Sequence, residues 1–251
     1  MTATAHVDPR IRARRVAVVR AQGRRRLRLL VAAASAVAVV VGAWLLVTST
    51  LLDVDRIAVR GAVGVPEEAV RSAAAIDTGD ALLLLDLGAV EQRVEEVPAV
   101  LEAHAYRELP DRVRITVVER EPAAWAPRGD GTVAILDRTG RVIADAAGDS
   151  PPALPEIQGL ARVPEAGRTS AGGGVATGVL DDLAPELRAR VAGVVVYGGV
   201  VVRLDDGVEV RLGPPRGVAA KARTALAVLT TLGDAPVAYV DVRVPTAPVT
   251  G

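Results

Sequence analysis

The feature that most constrains this chain is an uninterrupted apolar run near its amino terminus. Residues 29–52 read LLVAAASAVAVVVGAWLLVTSTLL and include no charged side chain. As a helix rising about 1.5 Å per residue, the run spans roughly 36 Å, more than a hydrocarbon core of about 30 Å. A cleavable signal peptide would have a shorter apolar region followed by small residues, whereas here the alanines lie inside the run. We therefore predict a transmembrane signal anchor over residues 29–52, and a buried core helix is the disfavoured alternative.

The charges on either side of this run predict its orientation. The first 28 residues hold nine arginines and one acid, Asp8, whereas Asp53 and Asp55 follow the run. Arginines beside a span stay in the cytoplasm, because each costs about 2.5–3.5 kcal/mol at mid-bilayer. We therefore predict a single-pass type II protein of the cell membrane, with an Arg-rich cytoplasmic tail. The tail has no aromatic residue, so we interpret it as a topogenic segment and predict no nucleic-acid partner.

The composition excludes several kinds of catalytic and metal site. The chain has no cysteine and only two histidines, His6 and His104. Disulfides, thiolate metal sites and cysteine nucleophiles are therefore excluded, and no Gly-x-Ser-x-Gly elbow is present. The glycines at 172–174 match neither a dinucleotide fingerprint nor a P-loop. We predict no catalytic residue, cofactor or metal, and we interpret His104 as a structural or surface residue.

Residues 53–121 contain strand and helix signals in a regular order. Residues 54–61 alternate apolar and polar and stop at a glycine, as a strand does. Pro66 with two following glutamates opens a helix, and Asp86 is placed to cap a second helix over residues 89–96. Two β-rich runs follow, separated by a Leu-Pro-Asp turn. The predicted order of this unit is β-α-α-β-β.

Residues 122–245 predict a second, β-rich unit. An Asp-Arg-Thr-Gly turn joins two strands within 133–144, and an Asp-Asp-Gly turn joins two more within 200–212. Residues 217–232 have helical periodicity, and residues 237–245 alternate as a final strand. The segments between these elements are predicted to be a flexible loop and a helix, at 161–178 and 181–191.

Three motifs make this pattern resemble a known bacterial family. Residues 109–124 read LPDRVRITVVEREPAA, residues 154–159 read LPEIQG and residues 239–245 read YVDVRVP. With the β-α-α-β-β order directly after one span, these motifs resemble the cell division protein FtsQ/DivIB family and its POTRA domain. Lys221 is the only lysine, a bias that indicates a GC-rich bacterium, and we predict an actinobacterium.

The resemblance implies an α+β fold with one transmembrane helix. A POTRA domain and a mainly antiparallel β-domain with flanking helices are expected to follow it. The predicted domains are the cytoplasmic tail, the signal anchor, the POTRA domain, the FtsQ-type β-domain and a C-terminal tail, at 1–28, 29–52, 53–121, 122–245 and 246–251.

The resemblance also implies a function at the division septum. Proteins of this family are non-enzymatic divisome scaffolds that bind FtsB/DivIC and FtsL through their extracytoplasmic domains. Through these partners they help to recruit and regulate septal peptidoglycan synthesis by FtsW with its transpeptidase, and the POTRA domain is associated with FtsK. The alternative for a chain with one span is an extracytoplasmic sensor or envelope-binding protein unrelated to division.

The resemblance places the partner-binding residues in the final strand. We expect this strand to be a sheet edge, where a partner segment adds as a further strand. Arg243 matches a family residue that contacts the partner, and Val244 stands where the family often has an aromatic. For Val240 and Val242 the alternative is that they are core residues. The predicted partner-binding residues are Tyr239, Val240, Asp241, Val242, Arg243 and Val244.

Overall fold

The computed structural model describes residues 28–42, 44–45, 52–233 and 235–251. Residues 28–42 and 44–45 are helical. Within the described residues, none of the helices combines the length and the apolar character needed to cross a bilayer. The predicted tail up to residue 27 lies outside the described residues, as do residues 43 and 46–51 of the predicted signal anchor.

From residue 52 onward, the chain consists of short strands and helices, and the strands form two sheets. A three-stranded sheet has the order β1-β3-β2, and a nine-stranded sheet has the order β12-β11-β10-β9-β8-β7-β4-β5-β6. The first five elements follow as β-α-α-β-β, which confirms the predicted order. The elements are β1 (Arg56–Arg60), α1 (Glu67–Ala74), α2 (Leu87–Glu95), β2 (Val100–Glu108), β3 (Arg112–Glu119), β4 (Pro122–Pro127), β5 (Thr132–Asp137), β6 (Val142–Ala147), β7 (Glu156–Gln158), α3 (Ala171–Asp182), α4 (Pro185–Arg188), β8 (Val191–Val195), β9 (Val200–Leu204), β10 (Glu209–Gly213), α5 (Val218–Leu232), β11 (Tyr239–Asp241) and β12 (Val249–Thr250).

Contacts divide the chain into two units. Among the described residues, the first unit holds those up to residue 57 together with 77–85 and 107–113, and the second holds the others. In the first unit, the N–H of Val54 donates to the carbonyl of Asp80 at 2.8 Å, and the side chains of Val54 and Leu82 are buried. This backbone bond and the two buried side chains fix the segment that leads into β1.

In the second unit, α1 and α2 begin where the sequence signals predict. Pro66 occupies the N-cap position of α1, and the side chain of Asp86 accepts the N–H of Ala89 at the start of α2. Arg93 of α2 donates to the carbonyl of Ala74 at 2.6 Å and so ties the two helices together. Their apolar faces are buried through Val70, Ala74, Val90 and Val94.

Glu119, at the end of β3, fixes the loop that leads into α1. Its carboxylate accepts the backbone N–H groups of Val63, Gly64 and Val65 at 2.7, 2.9 and 2.8 Å. Burial alone raises the pKa of Glu119, but these three donors outweigh it, and the pKa of the carboxyl lies below its usual value. The ionised carboxylate therefore stabilises the fold.

Replacing Glu119 with alanine is expected to lower the free energy of unfolding by about 1–2 kcal/mol at pH 7, because three N–H groups lose their acceptor. Since folding lowers the pKa, the stabilisation is present above the unfolded value of about 4.3 and is lost as pH falls through the folded value. Denaturant titrations at pH 7 and below pH 4 measure both effects. Glu121→Ala, at an exposed neighbour, is the control. An equal loss in the control, or a difference that persists in acid, contradicts the assignment.

In the nine-stranded sheet, most neighbouring strands are antiparallel, and β10–β11, β4–β7 and β7–β8 are parallel. The pairing of β5 with β6 confirms the predicted hairpin. Helix α5 confirms the helix predicted over residues 217–232. Its buried Lys221 donates to the carbonyls of Leu212 and Pro214 at 2.8 and 2.9 Å, which holds α5 against the end of β10.

The flexible loop predicted over residues 161–178 is wrong for its second half. Residues 171–182 form α3, and the hydroxyl of Ser170 caps it by accepting the N–H of Gly173 at 3.1 Å. The glycines permit close packing, because a Cβ on Gly174 would lie 2.9 Å from the carbonyl oxygen of Thr139. Close tertiary contact therefore overrides the weak helix propensity of glycine. The helix predicted over 181–191 is limited to the end of α3 and the short α4.

Candidate functional site

The predicted partner-binding residues separate into a buried pair and a surface group. Strand β11 runs parallel to β10, with Tyr239 opposite Glu209, and the N–H of Val242 donates to the carbonyl of Arg211 at 3.0 Å. The side chains of Val240 and Val242 are fully buried. Both are core residues, as the alternative interpretation predicts, and neither side chain reaches the surface.

The prediction that the final strand is the sheet edge is wrong for β11. The predicted strand over 237–245 is limited to three residues, after which the chain turns back and β12 pairs antiparallel with β11. The backbone N–H of Tyr239 donates to the carbonyl of Gly251 at 3.0 Å, and the Tyr239 carbonyl accepts the N–H of Gly251 at 3.3 Å. Strand β12 is not predicted from the sequence, because a strand of two residues is too short to show the alternation of apolar and polar side chains. The only signal was a β-branched pair after Pro245 and Pro248.

The outer side of β12 is one of the two edges of the nine-stranded sheet, and β6 forms the other. Because Gly251 exchanges both of its hydrogen bonds with Tyr239, the alternation of an antiparallel ladder turns the N–H and C=O of Thr250 away from β11. Pro248 is the next residue that faces outward, and it has no N–H. The edge therefore offers one backbone donor and two backbone acceptors.

Arg243 lies in the connection between β11 and β12 and has a fixed orientation. Its Nη2 and Nε lie 2.6 and 2.9 Å from Oδ2 of Asp241, and its stem packs on Gly213, where a Cβ would approach its Cγ to 2.9 Å. The hydrogen bond from Arg243 is the main reason that the pKa of Asp241 lies below its usual range, and the same bond raises the pKa of Arg243. The Arg243 side chain remains 64% exposed. Its Nη1 makes no hydrogen bond or ion pair to the described residues, so it is able to donate to a partner acid.

Tyr239 is held between a cation and the returning chain. The guanidinium carbon of Arg211 lies 3.9 Å from the centroid of the Tyr239 ring, a cation–π contact. Gly251 also lies against this ring, because a Cβ added to Gly251 would approach the Tyr239 ring to 2.6 Å. A side chain at position 251 would therefore require the Tyr239 ring to move, and the ring helps to seat β12.

Apolar surface flanks the free edge. Val244 and Val249 are more than half exposed. An open groove of about 410 Å³ lies between α5 and β12. The edge and the preceding β11–β12 connection together offer backbone hydrogen-bonding groups, a guanidinium and apolar side chains, which are the groups that an added strand uses. The groove is lined by Thr224, Ala227, Val228, Thr231, Leu232 and Thr250.

The described residues hold no group of three or more His, Asp or Glu side chains arranged to bind a metal. The side chain of His104 is half exposed, with its Nε2 4.0 Å from Glu102. His104 is therefore a surface residue, in agreement with the sequence interpretation.

Comparison with known proteins places this geometry in a family. A family model described as POTRA domain, FtsQ-type, matches residues 52–120, and one described as Cell division protein FtsQ/DivIB, C-terminal, matches residues 123–243. A curated cell division protein FtsQ of Streptomyces collinus is 30% identical over 238 residues, which cover 90% of this chain and 89% of that protein. The chain belongs to the FtsQ/DivIB family of cell division proteins. These relatives come from actinobacteria, the bacterial group that the sequence analysis predicts.

Relatives from mycobacteria are longer than this FtsQ/DivIB chain. FtsQ of Mycobacteroides abscessus is 34% identical over 207 residues, and FtsQ of Mycolicibacterium smegmatis is 32% identical over 201 residues. The chain spans less than two thirds of either protein, 64% and 58%. The FtsQ/DivIB C-terminal match includes β11 and Arg243 but ends before β12.

Proposed function

We propose that this chain is a non-enzymatic, membrane-anchored scaffold of the cell division machinery that holds other division proteins at the free edge of β12. Membership in the FtsQ/DivIB family supports the division role. The observation that carries the proposal is the edge itself, where the N–H and C=O of Thr250 face outward next to the exposed Val249, while Arg243 and the exposed Val244 lie in the connection between β11 and β12. A partner segment adds there as a tenth strand.

The proposed partner at this edge is an FtsB/DivIC-like protein, with an FtsL-like protein held in the same complex. Through them the scaffold acts on FtsW with its transpeptidase, and FtsK is the proposed partner of the POTRA domain. The free Nη1 of Arg243 favours a partner segment with an acidic residue, because a guanidinium binds carboxylate strongly. The exposed Val244 and Val249 favour apolar residues next to that acid.

Binding at this edge is expected to be modest in free solution. One backbone donor and two acceptors contribute roughly 1 kcal/mol each, so side-chain burial supplies the remainder. When both partners are anchored in one membrane, the second contact becomes intramolecular and the effective concentration rises to about the millimolar range. Anchoring therefore allows a short edge to act as a docking site.

Each predicted site residue receives a role in this proposal. Arg243 and Val244 contact the partner. Tyr239 and Asp241 position the parts of the site without contacting the partner. Tyr239 holds β12 in place, and Asp241 orients the Arg243 guanidinium. Val240 and Val242 anchor the edge in the core.

The proposed topology remains the one predicted from sequence, a single span with the arginines in the cytoplasm. Support comes from the uncharged run over residues 29–52 and from the nine arginines that precede it. In this topology the two matched domains lie outside the cytoplasm at the division septum.

A fluorescent fusion of the full chain is expected to form rings at midcell in dividing cells. The same fluorophore on residues 1–52 alone is the control, and it is expected to label the membrane uniformly because it lacks both matched domains. Fluorescence microscopy of growing cells checks the prediction. A uniform envelope signal from the full chain would support the sensor or envelope-binding alternative and refute the division role.

A further inference from the structure

Exposed leucines are concentrated in two turns of the first unit. Residues 82–85 are four consecutive leucines, of which Leu82 is fully buried while Leu83 and Leu84 are exposed, Leu84 by 68%. Leu109, in the turn between β2 and β3, is 66% exposed. Single exposed apolar residues are ordinary, but a group of them marks a contact with a membrane or another protein.

Hydrogen bonds hold both turns on the short segment that follows the apolar run. The N–H of Leu82 donates to the carbonyl of Leu52, the last residue of that run, at 2.9 Å. The carbonyl of Asp111 accepts the N–H of Asp55 at 2.8 Å. The exposed leucines therefore belong to the same unit as residue 52.

Side chains brace the two turns. The Nε of Arg107 donates to the carbonyl of Leu82 at 2.8 Å, and its Nη2 donates to the carbonyl of Leu85. The Nη2 of Arg56 pairs with Oδ2 of Asp111 at 2.6 Å. The turns thus hold their exposed leucines in fixed positions.

The distance from residue 52 to the leucines matches the depth of a membrane interface. Leu84 is two residues beyond Leu82, so the chain between them spans at most about 7 Å. The polar headgroup region on each side of a bilayer is roughly 5–8 Å thick, and apolar side chains of interfacial segments enter about 5–10 Å. If residue 52 ends the span, Leu84 is within reach of the acyl chains.

We propose that Leu83, Leu84 and Leu109 form a membrane-docking patch that enters the extracytoplasmic face of the bilayer and seats the first unit against the membrane. This inference rests on the proposed single-span topology. The occupant is lipid and not a protein, because the hydrogen bond to Leu52 keeps the patch next to the end of the span whether or not a partner is bound.

The charges of the unit predict which lipids suffice. Residues 52–57, 77–85 and 107–113 hold six acids and three arginines. Anionic headgroups repel such a surface, so the attraction comes from burial of the leucines. Docking is therefore expected in vesicles of zwitterionic phosphatidylcholine alone.

The chain contains no cysteine, so one introduced cysteine carries a fluorescent label without background. The full chain with Leu84→Cys is labelled with bimane and reconstituted in phosphatidylcholine vesicles, with and without lipid that carries a nitroxide on its acyl chain. The nitroxide is expected to lower the fluorescence about twofold, because the label lies among the acyl chains. Val63→Cys is the matched control, since Val63 is an apolar residue that is 95% exposed in the loop after β1, and its fluorescence is expected to stay unchanged.

Serine variants separate docking by the leucines from mere closeness to the span. Leu83→Ser with Leu109→Ser, added to Leu84→Cys, is expected to remove at least about half of the quenching, because hydroxyl side chains do not favour the acyl region. Leu109→Ser alone is the milder variant and is expected to give an intermediate value. Leu101→Ser with Val118→Ser changes two exposed apolar residues of the second unit and is expected to leave the quenching intact.

A label inside the predicted span distinguishes failure of this inference from failure of the topology. Val40→Cys is expected to be quenched in the same vesicles, because residue 40 lies within the apolar run. A quenched label at position 40 with an unquenched label at position 84 overturns the docking patch and leaves the topology standing. No quenching at position 40 refutes the span and the patch together. Quenching at position 84 that all the serine variants leave unchanged also overturns the patch.

Discussion

Replacing Asp137 with alanine is expected to lower the free energy of unfolding by about 3–5 kcal/mol, because it removes one partner of a buried ion pair. The carboxylate of Asp137 is 5% exposed, and Nη1 of Arg120 lies 2.8 Å from its Oδ2. Its other oxygen accepts the N–H groups of Thr139 and Arg141 and the Thr139 hydroxyl, at 2.8, 3.0 and 2.7 Å. Asp137 therefore closes the β5–β6 turn and holds the end of β3 at the same time.

The pH dependence of this stabilisation follows from the environment of Asp137. Burial raises the pKa of the carboxyl, but hydrogen bonds from Thr139, Arg120 and Arg141 outweigh it, so the pKa lies below its usual value. The stabilisation is present above the unfolded pKa of about 3.9 and is lost as pH falls through the folded value. The difference between the natural chain and Asp137→Ala is therefore expected to shrink in strong acid.

Denaturant titration of the two proteins measures this difference. Asp181→Ala is the matched control, because Asp181 pairs with Arg138, which is 63% exposed, and exposed pairs contribute less than about 1 kcal/mol. Asp137→Asn is expected to fall between the two, since its side-chain oxygen still accepts the turn donors. If Asp137→Ala unfolds at the same denaturant concentration as Asp181→Ala, the ion pair does not stabilise the fold as described.

Replacing Arg243 with glutamate is expected to weaken binding of an FtsB/DivIC-like partner at least about tenfold. The new carboxylate would lie next to Asp241 and would repel the acid that the free Nη1 is proposed to bind. Folding is expected to stay intact, because the Arg243 side chain is 64% exposed and its stem rests on the surface of Gly213. Titration of the partner into full-length protein in detergent micelles measures the change, with thermal unfolding as the folding check.

Two companion variants separate charge from geometry at this position. Arg243→Lys keeps the charge but loses the planar fork, so an intermediate affinity is expected. Arg162→Glu makes the same charge change at another exposed arginine, in the segment between β7 and α3. Its affinity for the partner is expected to equal that of the natural chain. An Arg243→Glu protein that binds with unchanged affinity removes Arg243 from the site.

The order of the first five elements could be predicted because each has a local signal. Pro66 and Asp86 mark helix starts, and the run over residues 112–120 alternates by twos, as its buried Val113, Ile115 and Val117 confirm. The Asp-Arg-Thr-Gly turn likewise predicted the β5–β6 hairpin, since Asp137 bonds within the turn. Local chemistry and tertiary structure agree at these positions.

The remaining features depend on contacts between distant residues, which the sequence does not display. The glycines of α3 indicate flexibility until their contacts with Leu136 and Thr139 are known. Strand β12 is defined only by its pairing with β11, so the sequence alone places the sheet edge at β11 instead of at β12. Arg243 was identified from the family motif, whereas its bond to Asp241 and its seat on Gly213 required the structure. The transmembrane span remains a prediction from the apolar run and its flanking charges.

The most direct test of the proposed docking edge is backbone hydrogen exchange of the full chain with and without an FtsB/DivIC-like partner. Strand addition at β12 predicts slower exchange over residues 247–251, where the Thr250 N–H faces outward. Exchange at β6, the opposite end of the same sheet, is predicted to stay unchanged. Partner-dependent protection at β6, or none over residues 247–251, contradicts the account.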